Sequence, residues 1–560
     1  MSRSTFRSPV VVAAIVSLFL APREAPAQGA GLPERIDAVF ARFTRSTPGC
    51  AVGLAKDGKT LYTHGYGMAN LEYSVPNTDS TVFESGSVAK QFTASALVLL
   101  AQDGKLTLDD DIHKYLPEVP DFGGQKITIR NLLTHTSGLR DQWGLLGIEG
   151  RGPGSQVHSP MTTLDLVVHQ KMLNFPPGSH YLYSNTGYAL AGLIVQRVSG
   201  KTLDAFTQER LFKPLGMTHT QWRDDFTRVV KQRATAYSGN EAGGFHTDMP
   251  FTNMVGNGGL LSTMSDLLKW NENLDHPAIG GAPYVDAMQT RMRLTNGRTI
   301  TYALGLEVAD YDGVREVAHG GSTAGYRTHL ARYPDQHVSL AVWCNSASTN
   351  PAALLHQVAD LVLTKPPRTT AQSGAPAVRL STAELTRWAG AYRDPETDEP
   401  VVLSVNDSTL STGGRGRGGR GGAGAIVPIG GTRFRSGQDE LVFRGTPGTR
   451  QFLALRANGD TTRYEEVRPA PAAIPVNDYT GTYASDELDV RLVVVAKDGK
   501  LVVKRRPADE LELRPSYADD FIGAGLGTIR FSRDAKGAVT GFAIFAGRVL
   551  DVRFRRVANR

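Results

Sequence analysis

A chain of 560 residues, 41% hydrophobic and 21% charged, is too long for one compact core and has the balance of an ordinary globular protein, so two to four domains are expected. A formal net charge of +6 is too mild for the dense basic surface of a nucleic-acid binder. Two cysteines cannot build a disulfide framework or a Cys-rich metal centre in a protein of this size.

Residues 1–27 read as a secretory signal peptide. Arg3 and Arg7 precede an apolar run over 9–21, and Ala25-Pro26-Ala27 offers a small-x-small cleavage site. The run is shorter than the roughly 20 residues that span a bilayer. The expectation is export to the periplasm or the medium, with no stable membrane span after the signal is removed. Residues 28–365 mix short strands with helices. Segments 50–55 and 339–343 are strand-like, while 87–103 and 186–199 have the spacing and length of buried helices. Cys50 and Cys344 both sit in such apolar strands, so buried free thiols are expected, with a single disulfide as the alternative.

Residues 366–380 are rich in Pro, Thr, Ser, Gly and Ala and read as a linker; a second break covers 469–475. The pieces between and after, 381–468 and 476–560, are β-rich and repeat each other. Trp388-Ala-Gly390-Ala-Tyr392 recurs as Tyr479-Thr-Gly481-Thr-Tyr483, and Asp407 and Leu410 recur at the same offset as Asp498 and Leu501. The Gly/Arg run at 413–424 has no counterpart in the second copy and reads as a solvated loop inserted between two strands, not as an RNA-binding segment. Two tandem antiparallel β-domains are expected.

Three short patterns carry chemistry. In Phe83-Glu-Ser-Gly-Ser87-Val-Ala-Lys90, a helix starting near Ser87 puts the lysine amine over the serine hydroxyl. A serine is a poor nucleophile until a neighbouring base takes its proton, and a desolvated lysine can be that base. In Tyr183-Ser-Asn185, a turn leading into an apolar helix can present a phenol for proton relay and a carboxamide for a substrate amide. In His319-Gly320-Gly321-Ser322, glycines without side chains let a strand edge approach an acyl carbon, so a backbone N–H near Ser322 can pair with that of Ser87 as an oxyanion hole. Each pattern alone is weak: an exposed Ser and Lys, a Tyr packed at a helix start, or a glycine turn would read the same way.

Taken together, in this order and with these wide gaps, Ser87-x-x-Lys90, Tyr183-x-Asn185 and His319-x-Gly321 resemble the penicillin-recognising serine hydrolases: class C β-lactamases, D-alanyl-D-alanine carboxypeptidases, D-aminopeptidases and related esterases. Segments 132–139 and 258–263 are similar to stretches between that family's motifs, and the resemblance covers roughly residues 35 to 360. It implies an α/β (α+β) β-lactamase-like domain with an antiparallel sheet flanked by helices, followed by two small β-barrel-like domains. It also implies an acyl-enzyme on Ser87, proton transfer shared between Lys90 and Tyr183, a substrate amide held by Asn185, and an oxyanion held by the N–H groups of Ser87 and Ser322.

The third motif begins with His319 where β-lactamases of this family carry lysine, which weakens carboxylate recognition and points to the D-aminopeptidase and esterase branches. If His319 acts in its neutral form, activity should fall below about pH 6.5. D-amino-acid peptides or esters are the expected substrates, with β-lactams second. The rival from another class is a non-catalytic periplasmic protein that binds or senses cell-wall fragments. His135, in a helix-like apolar stretch, reads as a core or turn histidine. No His-Glu-x-x-His cluster appears, so neither metal nor cofactor is expected.

Overall fold

The computed structural model describes residues 31–367, 377–412, 425–456, 459–506 and 509–558. The expected signal peptide, most of the 366–380 linker and the Gly/Arg run at 413–424 lie outside the described residues. Residues 31–365 are built on one antiparallel sheet of six strands. Strands β1 (Cys50–Lys56) and β2 (Lys59–Tyr66) form an early hairpin, and β3 (Glu307–Tyr311), β4 (Val314–Thr323), β5 (Tyr326–Tyr333) and β6 (Val338–Cys344) come some 240 residues later in spatial order β3-β4-β5-β6-β1-β2. β1 and β6 are apolar along their length and buried on both faces, as central strands covered by helices must be.

Helices α1 (Leu32–Phe40) and α5 (Pro351–Ala359) cover one face of the sheet through Ile36, Phe40, Leu354, Leu355 and Val358. The other face meets the helical insertion between β2 and β3, which includes α2 (Lys90–Gln102), α3 (Gln142–Ile148) and α4 (Asn185–Ser199). Residues Lys90 to Leu100 of α2 are all buried, and the polar Gln91, Thr93 and Ser95 among them are hydrogen-bonded to Trp270, Gly256 and Tyr284. Among the described residues no helix is long and apolar enough to cross a membrane.

The expectation of free thiols is corrected. Cys50 and Cys344 are joined in a disulfide. The two residues stand directly opposite each other in the β1–β6 ladder, a neighbourhood concealed by their separation of 294 positions in sequence.

Two closed eight-stranded antiparallel barrels follow, one from Gly390–Arg393 to Thr461–Glu466 and one from Gly481–Ser485 to Val549–Val557. The repeat read from sequence is a repeat of contacts. The Tyr392 hydroxyl donates to the carbonyl of Trp388 at 2.9 Å, and the Tyr483 hydroxyl to that of Tyr479 at 2.7 Å. Asp407 and Asp498 occupy the same left-handed turn position, with φ of 50° and 51°. Strands Thr409–Thr412 and Ala425–Gly430, which flank the Gly/Arg run, pair with each other, so the run joins two neighbouring strands.

The second barrel is seated on the helical insertion. Leu145, Leu146 and Ile148 of α3 pack into one apolar cluster with Leu492, Val549 and Val552. Arg140, fully buried, pairs with Glu487 of the barrel and also donates to the carbonyls of Leu550 and Asp551, each at 3.0 Å. These contacts carry the turn at Gly547-Arg548, between strands Val539–Ala546 and Val549–Val557, to the mouth of the cleft described next.

Candidate active site

The expected helix over 87–103 begins one turn late: Gly86–Ala89 is a 3-10 turn that leads into α2, and it holds Ser87 at the floor of a cleft of about 880 Å³. Gly86, with φ of 50°, allows that sharp entry. Lys90, the first residue of α2, is fully buried, and its Nζ donates to Ser87 Oγ at 3.1 Å, to Asn185 Oδ1 at 3.0 Å and to the Asn257 carbonyl at 2.7 Å. Burial drives the Lys90 amine well below the usual lysine range; Asp141 opposes this and Arg548 adds to it. Once it has lost a proton, the amine keeps two N–H donors for Asn185 Oδ1 and the Asn257 carbonyl and turns its lone pair to the Ser87 hydroxyl, whose proton it can then accept.

Tyr183 stands on the other side of Ser87. Burial raises its phenol above the usual tyrosine range, opposed by a hydrogen bond with Ser87 and by the nearby Arg548 guanidinium, so the phenol keeps its proton at neutral pH. Its ring lies 5.0 Å from Lys90 Nζ and 4.5 Å from the Arg548 guanidinium carbon. His135 packs against the same ring at 4.0 Å between centroids, and its Nδ1 accepts the backbone N–H of Ser184. It therefore supports the turn that carries Tyr183, in keeping with its reading as a core or turn histidine.

Asn185, at the first turn of α4, is locked from two sides. Its backbone N–H and its Nδ2 both donate to Asp141 Oδ2, at 2.7 and 2.9 Å, while its Oδ1 accepts from Lys90. Strand β4 closes the site. A methyl group on Gly321 would lie 2.0 Å from the Ser85 carbonyl and 3.0 Å from the Ser87 nitrogen, and one on Gly86 would lie 2.5 Å from the Ser322 nitrogen. The missing side chains let the backbone of 320–322 lie against that of 85–87, which brings the N–H groups of Ser87 and Ser322 to one place. Thr328 of β5 secures the approach by donating to the Ser85 carbonyl at 2.7 Å.

His319 is buried in the cleft wall with both ring nitrogens engaged. Nδ1 donates to the Gly320 carbonyl at 2.6 Å, which leaves Nε2 to accept the Tyr302 hydroxyl at 2.8 Å. Burial, then the neighbouring Lys90, push its pKa down to about 3. The inflection near pH 6.5 expected for an unperturbed imidazole is therefore displaced far into acid, because a charged ring here would lose its hydration and would repel the Lys90 amine in its protonated form.

Every residue singled out in the sequence, Ser87, Lys90, Tyr183, Asn185, His319, Gly320, Gly321 and Ser322, lines or touches this one cleft. Three participants were not read from sequence. Asp141 follows the 132–139 segment closely and Asn257 immediately precedes 258–263, so both lay beside stretches already marked as family-like. Arg548 had no local signal, since its place depends on how the second barrel docks.

Residues 36–365 match the Beta-lactamase family. A D-aminopeptidase of Brucella anthropi is 26% identical over 532 residues, covering 91% of this chain and 95% of its own length. Among solved structures, the octameric penicillin-binding protein homologue from Pyrococcus abyssi superposes with a TM-score of 0.54 at 24% identity, over 78% of this chain and 99% of its own. The D-amino acid amidase from Ochrobactrum anthropi SV3, complexed with L-phenylalanine amide, does so with a TM-score of 0.51 at 24% identity, over 59% and 98%. The chain belongs to the Beta-lactamase family and is a penicillin-recognising type of serine hydrolase.

Proposed function

We propose that this protein acts outside the cytoplasm and hydrolyses amide or ester bonds on the carbonyl side of D-amino acids through an acyl-enzyme on Ser87. The observation that carries the reading is the buried Lys90 amine 3.1 Å from Ser87 Oγ. The match to a D-aminopeptidase along both barrels as well as the hydrolase domain supports the substrate class. The Cys50–Cys344 disulfide fits an oxidising compartment.

Ser87 Oγ attacks the substrate carbonyl as its proton passes to Lys90 Nζ. The N–H groups of Ser87 and Ser322 hold the resulting oxyanion. The Tyr183 phenol hands a proton to the departing amine or alcohol and is reprotonated from Lys90. Water then attacks the acyl carbonyl as it gives a proton to Lys90 Nζ, the ester bond to Ser87 breaks to release the acid, and that proton passes back to Ser87 Oγ. Lys90 is the better base of the pair, because burial pushes its amine toward the neutral form and the Tyr183 phenol toward its protonated form. His319, with both nitrogens occupied, is a positioning residue for the strand.

The deciding experiment labels the full-length protein with a fluorophosphonate probe and measures hydrolysis of D- and L-amino acid p-nitroanilides, p-nitrophenyl esters and nitrocefin. A Ser87-dependent adduct and preferred turnover of D-anilides or esters are expected. The absence of any adduct would favour the non-catalytic binder, and nitrocefin as the best substrate would favour a β-lactamase.

Two further outcomes are expected. Gly321→Ala should lower kcat about 10²-fold with the fold retained by circular dichroism, because the added methyl forces the Ser322 N–H away from Ser87. In kcat/KM against pH, the acid limb should report protonation of Lys90. Arg548→Gln removes a cation that holds the Lys90 amine down, so the limb should move to higher pH, whereas His319→Gln should leave it in place because that ring is neutral throughout the neutral range.

A further inference from the structure

Beyond Ala318, strand β4 has no strand partner on the β3 side among the described residues, since the β3–β4 ladder ends at the Glu307 and Ala318 pair. The cleft continues around this free edge to the opposite face of the sheet, where Glu316, His329 and His356 line its wall. His329 stands opposite Gly320 in the β4–β5 register, and the glycine leaves the imidazole open to the cleft. His329 Nε2 is buried and meets no hydrogen-bond partner among the described residues. Beside it, His356 from α5 holds Nε2 2.8 Å from Glu316 Oε2. The Tyr333 hydroxyl donates to the same carboxylate oxygen at 2.7 Å, and the His356 ring stacks on Tyr311 at 3.9 Å between centroids.

We propose that Glu316, His329 and His356 form a binding site for a zinc-type divalent transition-metal ion. One donor atom from each residue lies within 4.8 Å of the other two. Three donors sharing a tetrahedral ion at about 2.1 Å stand roughly 3.5 Å apart, so small side-chain rotations close the set. Two imidazoles and a carboxylate are a zinc donor set, and the cleft supplies room for water in the fourth position. Tyr333 and Tyr311 supply the supporting contacts that orient ligating side chains. The bound ion would tie α5 to β4 and β5, the strands that bear His319, Ser322 and Thr328. No sequence motif announces the set, because its donors come from two strands and a helix.

The site is independent of the acyl-transfer reading, and its test does not use turnover. Tag-free, chelator-treated full-length protein is titrated with Zn²⁺ in competition with a chromophoric chelator, and Co²⁺ is added separately to look for the visible absorption of tetrahedral cobalt. One ion per chain is expected, with a thermal midpoint that rises with Zn²⁺ concentration. Affinity should drop at least about tenfold in His329→Ala and in Glu316→Gln and stay unchanged in Ser87→Ala. Absence of stoichiometric uptake, or uptake unaltered by both site variants, overturns the proposal. Should those variants fail to fold, anomalous diffraction at the zinc edge from crystals of the unaltered protein decides: a peak between the three side chains upholds the site, and its absence there removes it.

Discussion

Lys90→Met is expected to lower kcat by about 10³- to 10⁴-fold, the upper range for loss of a positioned general base. Methionine fills a similar volume without an amine, so the Ser87 hydroxyl loses the group that takes its proton. The substitution leaves Asn185 Oδ1 and the Asn257 carbonyl without the donor they share, each worth about 1–3 kcal/mol when left unpaired, but it also removes a desolvated amine from the interior. The two effects oppose, and the thermal midpoint should change little. Lys90→Arg separates charge from proton transfer. It places near Ser87 a permanent cation that cannot lose its proton, so it should be as inactive as methionine if Lys90 is the base. Pre-steady-state kinetics with a chromogenic ester would check this; a burst of normal rate in either variant would assign the base to another group.

Arg140→Ala is expected to cost about 3–5 kcal/mol, because it leaves the Glu487 carboxylate buried and unpaired at the seat of the second barrel. It also frees the carbonyls of Leu550 and Asp551, which flank the Arg548 turn. Loosening there should withdraw Arg548 from Tyr183 and Lys90, so the acid limb of the rate profile should shift upward, as in Arg548→Gln. Paired replacement, Arg140→Met with Glu487→Leu, should recover most of the stability, since an apolar pair of similar volume carries no desolvation penalty. Urea denaturation of the parent, Arg140→Met, Glu487→Leu and the pair, read with near-UV circular dichroism, measures the coupling. A single variant as stable as the parent would show that the ion pair does not seat the barrel.

The parts of this protein that were legible in the sequence are those whose physics is local. The apolar spacing of α2 and α4, the alternation and repeated Trp/Tyr-x-Gly-x-Tyr signature of the two barrels, and the one-turn separation of Ser87 and Lys90 all depend on residues a few positions apart. Even the wide gaps between the three motifs were informative, because their chemical types complement each other. Folding added what no local spacing encodes. The ladder that sets Cys50 against Cys344 turned expected thiols into a disulfide. Burial beside Lys90 moved His319 out of the neutral titration range.

The chain alone offered the candidate side chains, through three short patterns whose order resembles that of one family, and the elements near which each resides, since helix period and glycine content act over a turn or less. Tertiary structure decided their surroundings: burial lowers the Lys90 amine and raises the Tyr183 phenol, Asn257 and an arginine from the last barrel line the cleft, and Asp141 holds Asn185 from behind. Protonation and contact depend on the solvent and charges within a few ångströms, and those neighbours are brought together by strand pairing and domain docking across hundreds of residues.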